Sequence, residues 1–203
     1  DVTDRQLDTI ADLADRFSFG EIRTTHNQNI VLADVLKSEL FALWQLAKPA
    51  GLATPNIGTI NDMICCPGGD YCSLANAKSI PVAEAIQRKF DDLDYVYDLG
   101  DLELNISGCM NACGHHHIGH IGILGVDKKG EEWYQIQLGG SANKNAALAK
   151  VLGRSLSRDA VVDSIEKLLD VYVENRLDQE SFLNTYQRIG IEKFKERVYA
   201  PAS

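Results

Sequence analysis

The order of apolar and polar positions divides the chain into two blocks. Thr3-Asp4-Arg5-Gln6 has the form of a capping box, and Leu7, Ile10, Ala14 and Phe17 follow at helical spacing, which predicts a surface helix over residues 4–17. Ser18, Phe19 and Gly20 end it. Residues 21–25 and 28–33 are short β-prone runs on either side of His26-Asn27, the pattern of a strand pair. Leu36, Leu40, Phe41, Leu43, Trp44 and Ala47 form a wide apolar face, predicting a second helix capped by Asp34 and stopped by Pro49 and Gly51. Residues 1–53 therefore read as helix–strand–strand–helix, with the internal boundary in residues 53–56.

In the second block, 54–203, an extended run over 57–66 leads into the turn Pro67-Gly68-Gly69. Residues 73–89 read as mostly helical, with Pro81 near the start and Ala83, Ile86 and Phe90 on one face. Leu102 to Ile106 alternates like a half-buried strand and runs directly into Gly108-Cys109. Residues 118–126 and 133–138 predict two more strands joined by the polar turn 127–132. An amphipathic helix over 157–176 carries Val161, Ile165, Leu168, Leu169 and Tyr172, and two short helices follow, through Phe182 and Tyr186 and through Phe194. The order is mixed, so the fold class is α+β. No repeat or low-complexity tract interrupts it.

Composition narrows the classes of function. The 203 residues are 45% apolar and 24% charged, which is an ordinary globular balance. With 20 basic against 29 acidic side chains the net charge is −9. No clustered Lys and Arg offset it, so nucleic acid is not an expected partner. No apolar run reaches the roughly 18–20 residues of a membrane span, and no membrane is expected. The start at Asp1, without Met, and the acidic helical first segment are unlike a signal peptide, as expected of a processed protein or an excised fragment in the cytoplasm.

The five cysteines are too few for a disulfide scaffold, and they cluster: Cys65, Cys66 and Cys72, then Cys109 and Cys113. Thiolates are soft ligands for zinc, copper(I) and iron–sulfur clusters. Cys66-x5-Cys72 and Cys109-x3-Cys113 can hold either tetrahedral zinc or a 4Fe–4S cube, or can be unligated buried thiols. The five-residue gap favours the wider cube. Gly68, Gly69, Gly108 and Gly114 flank the cysteines and let backbone approach a bulky inorganic group.

Cys66-Pro67-Gly68-Gly69-Asp70-Tyr71-Cys72 with Ser107-Gly108-Cys109-Met110-Asn111-Ala112-Cys113-Gly114 resembles the paired cluster motif of the sirohaem-dependent sulfite and nitrite reductases. The runs IGHIGILGV at 118–126 and WYQIQLGG at 133–140 are similar to the family's stretch C-terminal to that motif. Arg23 to Val31 resembles the strand opening the second ferredoxin-like repeat. The likeness covers residues from about 20 to 150 and implies half of a pseudo-symmetric fold, a ferredoxin-like half-domain over 1–53 followed by a mixed α/β domain over 54–203 that binds 4Fe–4S and sirohaem. It further implies that Cys66, Cys72, Cys109 and Cys113 ligate the cluster and that Cys113 bridges to the sirohaem iron, where sulfite or nitrite takes up six electrons. Met110 departs from the proline of many members, and Pro-Gly-Gly-Asp-Tyr is an uncommon first loop. Only the second half of the family's length is matched. The resemblance thus implies a C-terminal fragment, inactive alone, that partners the N-terminal half of the same enzyme, an electron donor (ferredoxin or flavoprotein) and a small anion. The basic side chains for that anion lie outside this chain.

Other residues carry weaker suggestions. Cys65 reads as a small packed residue near the sirohaem, or as a redox group. His115, His116, His117 and His120 read as packing around the cluster loop, as a proton supply, or as a separate metal site. Asn111 is a turn residue or a cofactor contact. Arg23 and Lys78 suit a sirohaem carboxylate or a solvated surface, and Trp44 and Trp133 suit the core. Two functions compete with the reductase: an iron–sulfur electron carrier without sirohaem, and a zinc-stabilised binding module. Between substrates, the Gly108–Cys113 motif followed by a strand leans toward sulfite.

Overall fold

In the computed structural model, which describes residues 2–200, two compact units divide between Asn56 and Ile57. In the first unit, α1 (Asp4–Phe17) begins at its capping box: the Thr3 hydroxyl accepts from the Gln6 N–H at 3.2 Å, and Gln6 Oε1 accepts from the Thr3 N–H at 2.9 Å. Its buried stripe is Ile10, Leu13, Ala14 and Phe17. β1 (Ile22–Thr24) and β2 (Ile30–Leu32) form an antiparallel hairpin, and α2 (Leu40–Ala47) ends in a 3-10 turn closed by left-handed Gly51. The small core joins Leu13, Phe17 and Ala47, with Leu32, Val35, Leu43, Leu52 and Ala53 packed around them.

Two expectations for this unit need correction. Asp34 does not cap α2; its own φ of 58° makes it a turn residue, and the helix begins only at Leu40, with no side-chain cap from Glu39. Trp44 is not core. It stands 39% exposed, with the Lys48 ammonium 4.4 Å above its ring.

The second unit is built on a five-stranded sheet, in order β3-β4-β5-β6-β7. β3 (Ile64–Cys65), β4 (Leu104–Ser107) and β5 (Ile121–Lys128) run parallel; β6 (Glu131–Leu138) and β7 (Lys150–Val151) continue antiparallel. Leu104, Ile106, Ile121, Ile123, Tyr134, Ile136 and Leu138 are buried in one continuous core. They share it with α3 (Ile80–Lys89), α4 (Leu93–Asp98), α5 (Arg158–Asn175), α6 (Phe182–Ile189) and α7 (Ile191–Tyr199). α5, capped by Ser157, packs against β6, α3, α6 and α7. Among the described residues no helix is long and apolar enough to cross a membrane.

Several departures from the sequence pattern bear on the site. Residues 57–63 are turns, because Gly58 takes φ 77° and donates its N–H to the Asp62 carboxylate at 3.1 Å; only Ile64–Cys65 is strand. α3 begins at Ile80 rather than 73, because Asn76 and Ala77 give their N–H groups to Gly108 O at 2.9 and 3.0 Å instead of to a helix. β4 is buried on both faces, not half-buried. Its polar side chains serve the loop after it: Asn105 Nδ2 donates to His115 O at 3.0 Å, and Ser107 Oγ accepts from the Gly114 N–H at 3.1 Å. β5 starts at Ile121 after a 3-10 turn over His116–Ile118, and its hairpin turns on Lys129 and Gly130 alone, both with positive φ. α4 and β7 were not anticipated.

Candidate metal centre

Cys66 follows β3, and Cys109 follows β4. Because these strands are parallel neighbours, both cysteine loops leave the sheet at the same end. Backbone bonds tie the first loop to β4 and to itself. The Cys66 N–H donates to Ile106 O at 3.1 Å, Gly69 N–H to Ala77 O at 3.0 Å, and Cys72 N–H to Gly68 O at 2.9 Å. A side-chain carbon on Gly108 would stand 2.6 Å from Ala77 O and 2.9 Å from Gly68 Cα. One on Gly114 would overlap Ile106 O and lie 3.1 Å from Cys66 N. Glycine at these positions lets the Cys113 loop lie against the Cys66 loop.

The four thiols sit in different surroundings. Cys66 and Cys109 are buried, 7% and 8% exposed, Cys72 is half-buried, and Cys113 is exposed. Cys66 Sγ accepts the Gly108 N–H at 3.1 Å and lies 3.5 Å from Ser79 Oγ. Around Cys113 the backbone reverses twice, with Ala112 at φ 58° and His115 at φ 53°, left-handed positions that non-glycine residues rarely take. Asp70, inside the first loop, is held by Lys78 at 2.9 Å, and the Tyr134 hydroxyl donates to Lys78 O at 2.8 Å. The Asp70 carboxylate raises the pKa of the Lys78 ammonium; burial and Glu132 raise that of the Tyr134 phenol.

This donor set fits a 4Fe–4S cube. None of the five cysteines is disulfide-bonded, and four soft sulfur donors stand on two touching, glycine-lined loops. Cys65 differs from the four. It packs against the core, donates to Cys66 O at 3.3 Å, and burial with the neighbouring Cys66 pushes its thiol pKa up to about 12, keeping it protonated.

The remaining residues singled out by sequence separate. Asn111 is exposed on the second loop beside Met110, which is 82% exposed. Arg23 belongs to the first unit, where Glu21 and Asp34 pair with it. Lys78 is engaged with Asp70. His116 and His117 meet edge to face, their ring centroids 5.4 Å apart. His115 is exposed; His120 is buried, with Nδ1 accepting the Glu103 N–H at 3.2 Å. His116 is buried with Nδ1 unpartnered among the described residues, and burial and His117 lower its pKa to about 4. Trp133 is partly buried under Lys128. Sequence reasoning missed Ser79, Asp70, Asn105 and Ser107. The first falls within the stretch 73–89 read as helical; the others read as turn or strand polar residues, and nothing in their local pattern marks their partners.

Comparison with known proteins gives the same division. The family description "Nitrite and sulphite reductase 4Fe-4S domain" matches residues 58–203, and "Nitrite/Sulfite reductase ferredoxin-like half domain" matches 1–50. The assimilatory ferredoxin-dependent nitrite reductase of Haloferax mediterranei is 28% identical over 194 residues, 92% of this chain and 33% of its own. The sulfite reductase [NADPH] hemoprotein beta-component of Escherichia coli is 25% identical over 174 residues, 85% of this chain and 30% of its own. The chain thus spans about a third of the length of these relatives. Two solved structures share the fold. Mycobacterium tuberculosis NirA has a TM-score of 0.77 at 24% identity, covering 94% of this chain and 36% of its own. Dissimilatory sulfite reductase I (DsrI) has a TM-score of 0.81 at 14% identity, covering 100% and 67%. With a family match over most of its length, the chain belongs to the sirohaem-dependent nitrite and sulphite reductases, enzymes built on a 4Fe–4S cluster and sirohaem.

Proposed function

We propose that this chain is the C-terminal part of an assimilatory-type sulfite reductase, which reduces sulfite to sulfide with six electrons. The observation that carries the reading is the pair of touching cysteine loops, with Cys66 and Cys109 buried, Cys72 half-buried and Cys113 exposed. Residues 1–53 act as the ferredoxin-like half-domain and 54–203 as the domain that binds the cluster and sirohaem. Cys66, Cys72, Cys109 and Cys113 would hold the cluster, and Cys113, exposed at its loop tip, would be the residue shared with the sirohaem. When bound, the two groups would supply the electrons for reducing a small anion. Asn111, exposed on the loop of Cys113, would contact the cofactor.

The chain's own residues have limited tasks in this scheme. Gly108 N–H stabilises the Cys66 thiolate, while the Asp70–Lys78 pair fixes the first loop. Burial and His117 keep His116 neutral at pH 7. The side chains that bind the substrate anion come from the N-terminal half of the enzyme, so the chain alone is inactive. Electrons arrive from a ferredoxin or flavoprotein, and unpaired thiols suit the cytoplasm. A second reading, reduction of nitrite to ammonia, draws on the nitrite reductase among the relatives.

The test is to assemble the chain with its N-terminal half, iron, sulfide and sirohaem, and to supply electrons from a reduced viologen dye. Faster release of sulfide from sulfite supports the first reading, and faster release of ammonium from nitrite replaces it with the second. A cofactor-loaded assembly that turns over neither anion overturns both.

A further inference from the structure

Ser79 occupies the N-cap of α3 but does not act as a cap. Its φ of −100° and ψ of −43° leave the side chain without a bond to the first turn, where a capping serine normally accepts an N–H. It is 0% exposed, and a buried hydroxyl requires a partner. The partner is Cys66 Sγ, 3.5 Å away. The residue is also wedged between the two cysteine loops. A side-chain carbon on Gly68 would overlap Ser79 N and stand 2.6 Å from Ser79 Oγ, and one on Gly108 would stand 3.0 Å from the same oxygen. The serine is thus confined against Cys66 by backbone on two sides.

We propose that Ser79 is a positioning residue of the metal centre, whose hydroxyl hydrogen-bonds to the Cys66 sulfur and raises the reduction potential of the 4Fe–4S cluster that Cys66 anchors. This inference rests on the cluster assignment made under Proposed function. Between two protonated groups either atom can donate. An iron-bound thiolate has no proton, so the hydroxyl donates and Cys66 receives it together with the Gly108 N–H. Among the described residues no hydrogen bond reaches the sulfur of Cys72, Cys109 or Cys113, so Cys66 is where the cluster's charge is compensated. Taking up one electron makes the cluster more negative, and donors on a ligand sulfur favour that state.

The experiment compares the full chain, Ser79→Ala and Ser79→Thr after anaerobic reconstitution with ferrous iron and sulfide. Each is titrated with dithionite, and the reduced cluster is followed by absorbance and electron paramagnetic resonance. Removing the hydroxyl shifts the ratio of reduced to oxidised cluster about tenfold toward oxidised at a fixed potential, equal to 59 mV for one electron. Threonine, which keeps the hydroxyl, restores the unmodified potential. The thermal midpoint of the cluster-free alanine chain stays near that of the parent, since no cap bond is lost. Clusters in parent and alanine chains with equal potentials overturn the inference, as does a threonine chain shifted as far as alanine. A parent chain that assembles no cluster instead overturns the cluster assignment itself.

Discussion

The two cysteine loops leave neighbouring strands at the same end of one sheet, yet they are held in opposite ways. The first is gripped from inside the domain. Cys66 is buried under the Gly108 N–H and Ser79, and Asp70 is tied to Lys78, whose carbonyl is itself bound by Tyr134. The second is held at its roots and open at its tip. Cys109 is buried and Gly114 locks against Ile106, but Met110, Asn111 and Cys113 are exposed, Cys113 between the left-handed residues Ala112 and His115. The asymmetry suits a centre that is anchored on one side and joined to a second group on the other.

The contrast breaks most sharply at Gly114. Its Cβ position is filled by main chain, so Gly114→Ala is expected to destabilise the second unit by on the order of 3 kcal/mol, measured by urea unfolding. Met110→Ala at the open tip should change the same measurement by less than about 0.5 kcal/mol. Equal effects would mean that both loop ends are equally constrained.

A smaller effect is expected from pH. His116 sits in the chain returning from the second loop, with its folded pKa lowered to about 4 by burial and His117. The unfolded imidazole takes its proton near pH 6.5, so stability is full above that value, falls as the pH drops toward 4, and falls no further below it. The loss is on the order of 2 kcal/mol once partial solvent access is allowed for. His116→Gln should flatten this part of the pH–stability curve, and a curve unchanged by the substitution would place the titration elsewhere.

The smallest effect concerns the grip on the first loop. The Asp70–Lys78 pair is partly exposed, so Asp70→Asn should reduce stability by less than about 1 kcal/mol. It should nevertheless speed the loss of iron to a chelator, because the loop carrying Cys66 and Cys72 loses its tie. Chelation at the parent rate would show that backbone contacts alone hold that loop.

The sequence made some of this legible and hid the rest for identifiable reasons. The capping box of α1, the hairpin after it and the stripe of α5 depend on local spacing and could be read directly. So could the cysteine pairs, because clustered thiols flanked by glycine are rare and chemically specific. What escaped is non-local. The alternation around Asn105 and Ser107 pointed to a solvent face, but the returning loop covers it. Residues 73–79 looked helical, but the N–H groups of Asn76 and Ala77 are committed to Gly108. Ser79 fell inside that stretch with nothing to single it out, and only the folded arrangement brings Cys66 to its hydroxyl. In each case a long-range hydrogen bond at the metal centre overrode the local preference.

The most direct test of the account is the metal and sulfide content of the chain after anaerobic reconstitution, read with its Mössbauer spectrum. The account predicts close to four irons and four sulfides per chain in a single 4Fe–4S signal, and a substantial loss of that signal in Cys66→Ser. One zinc per chain, or an iron signal indifferent to Cys66, would contradict it.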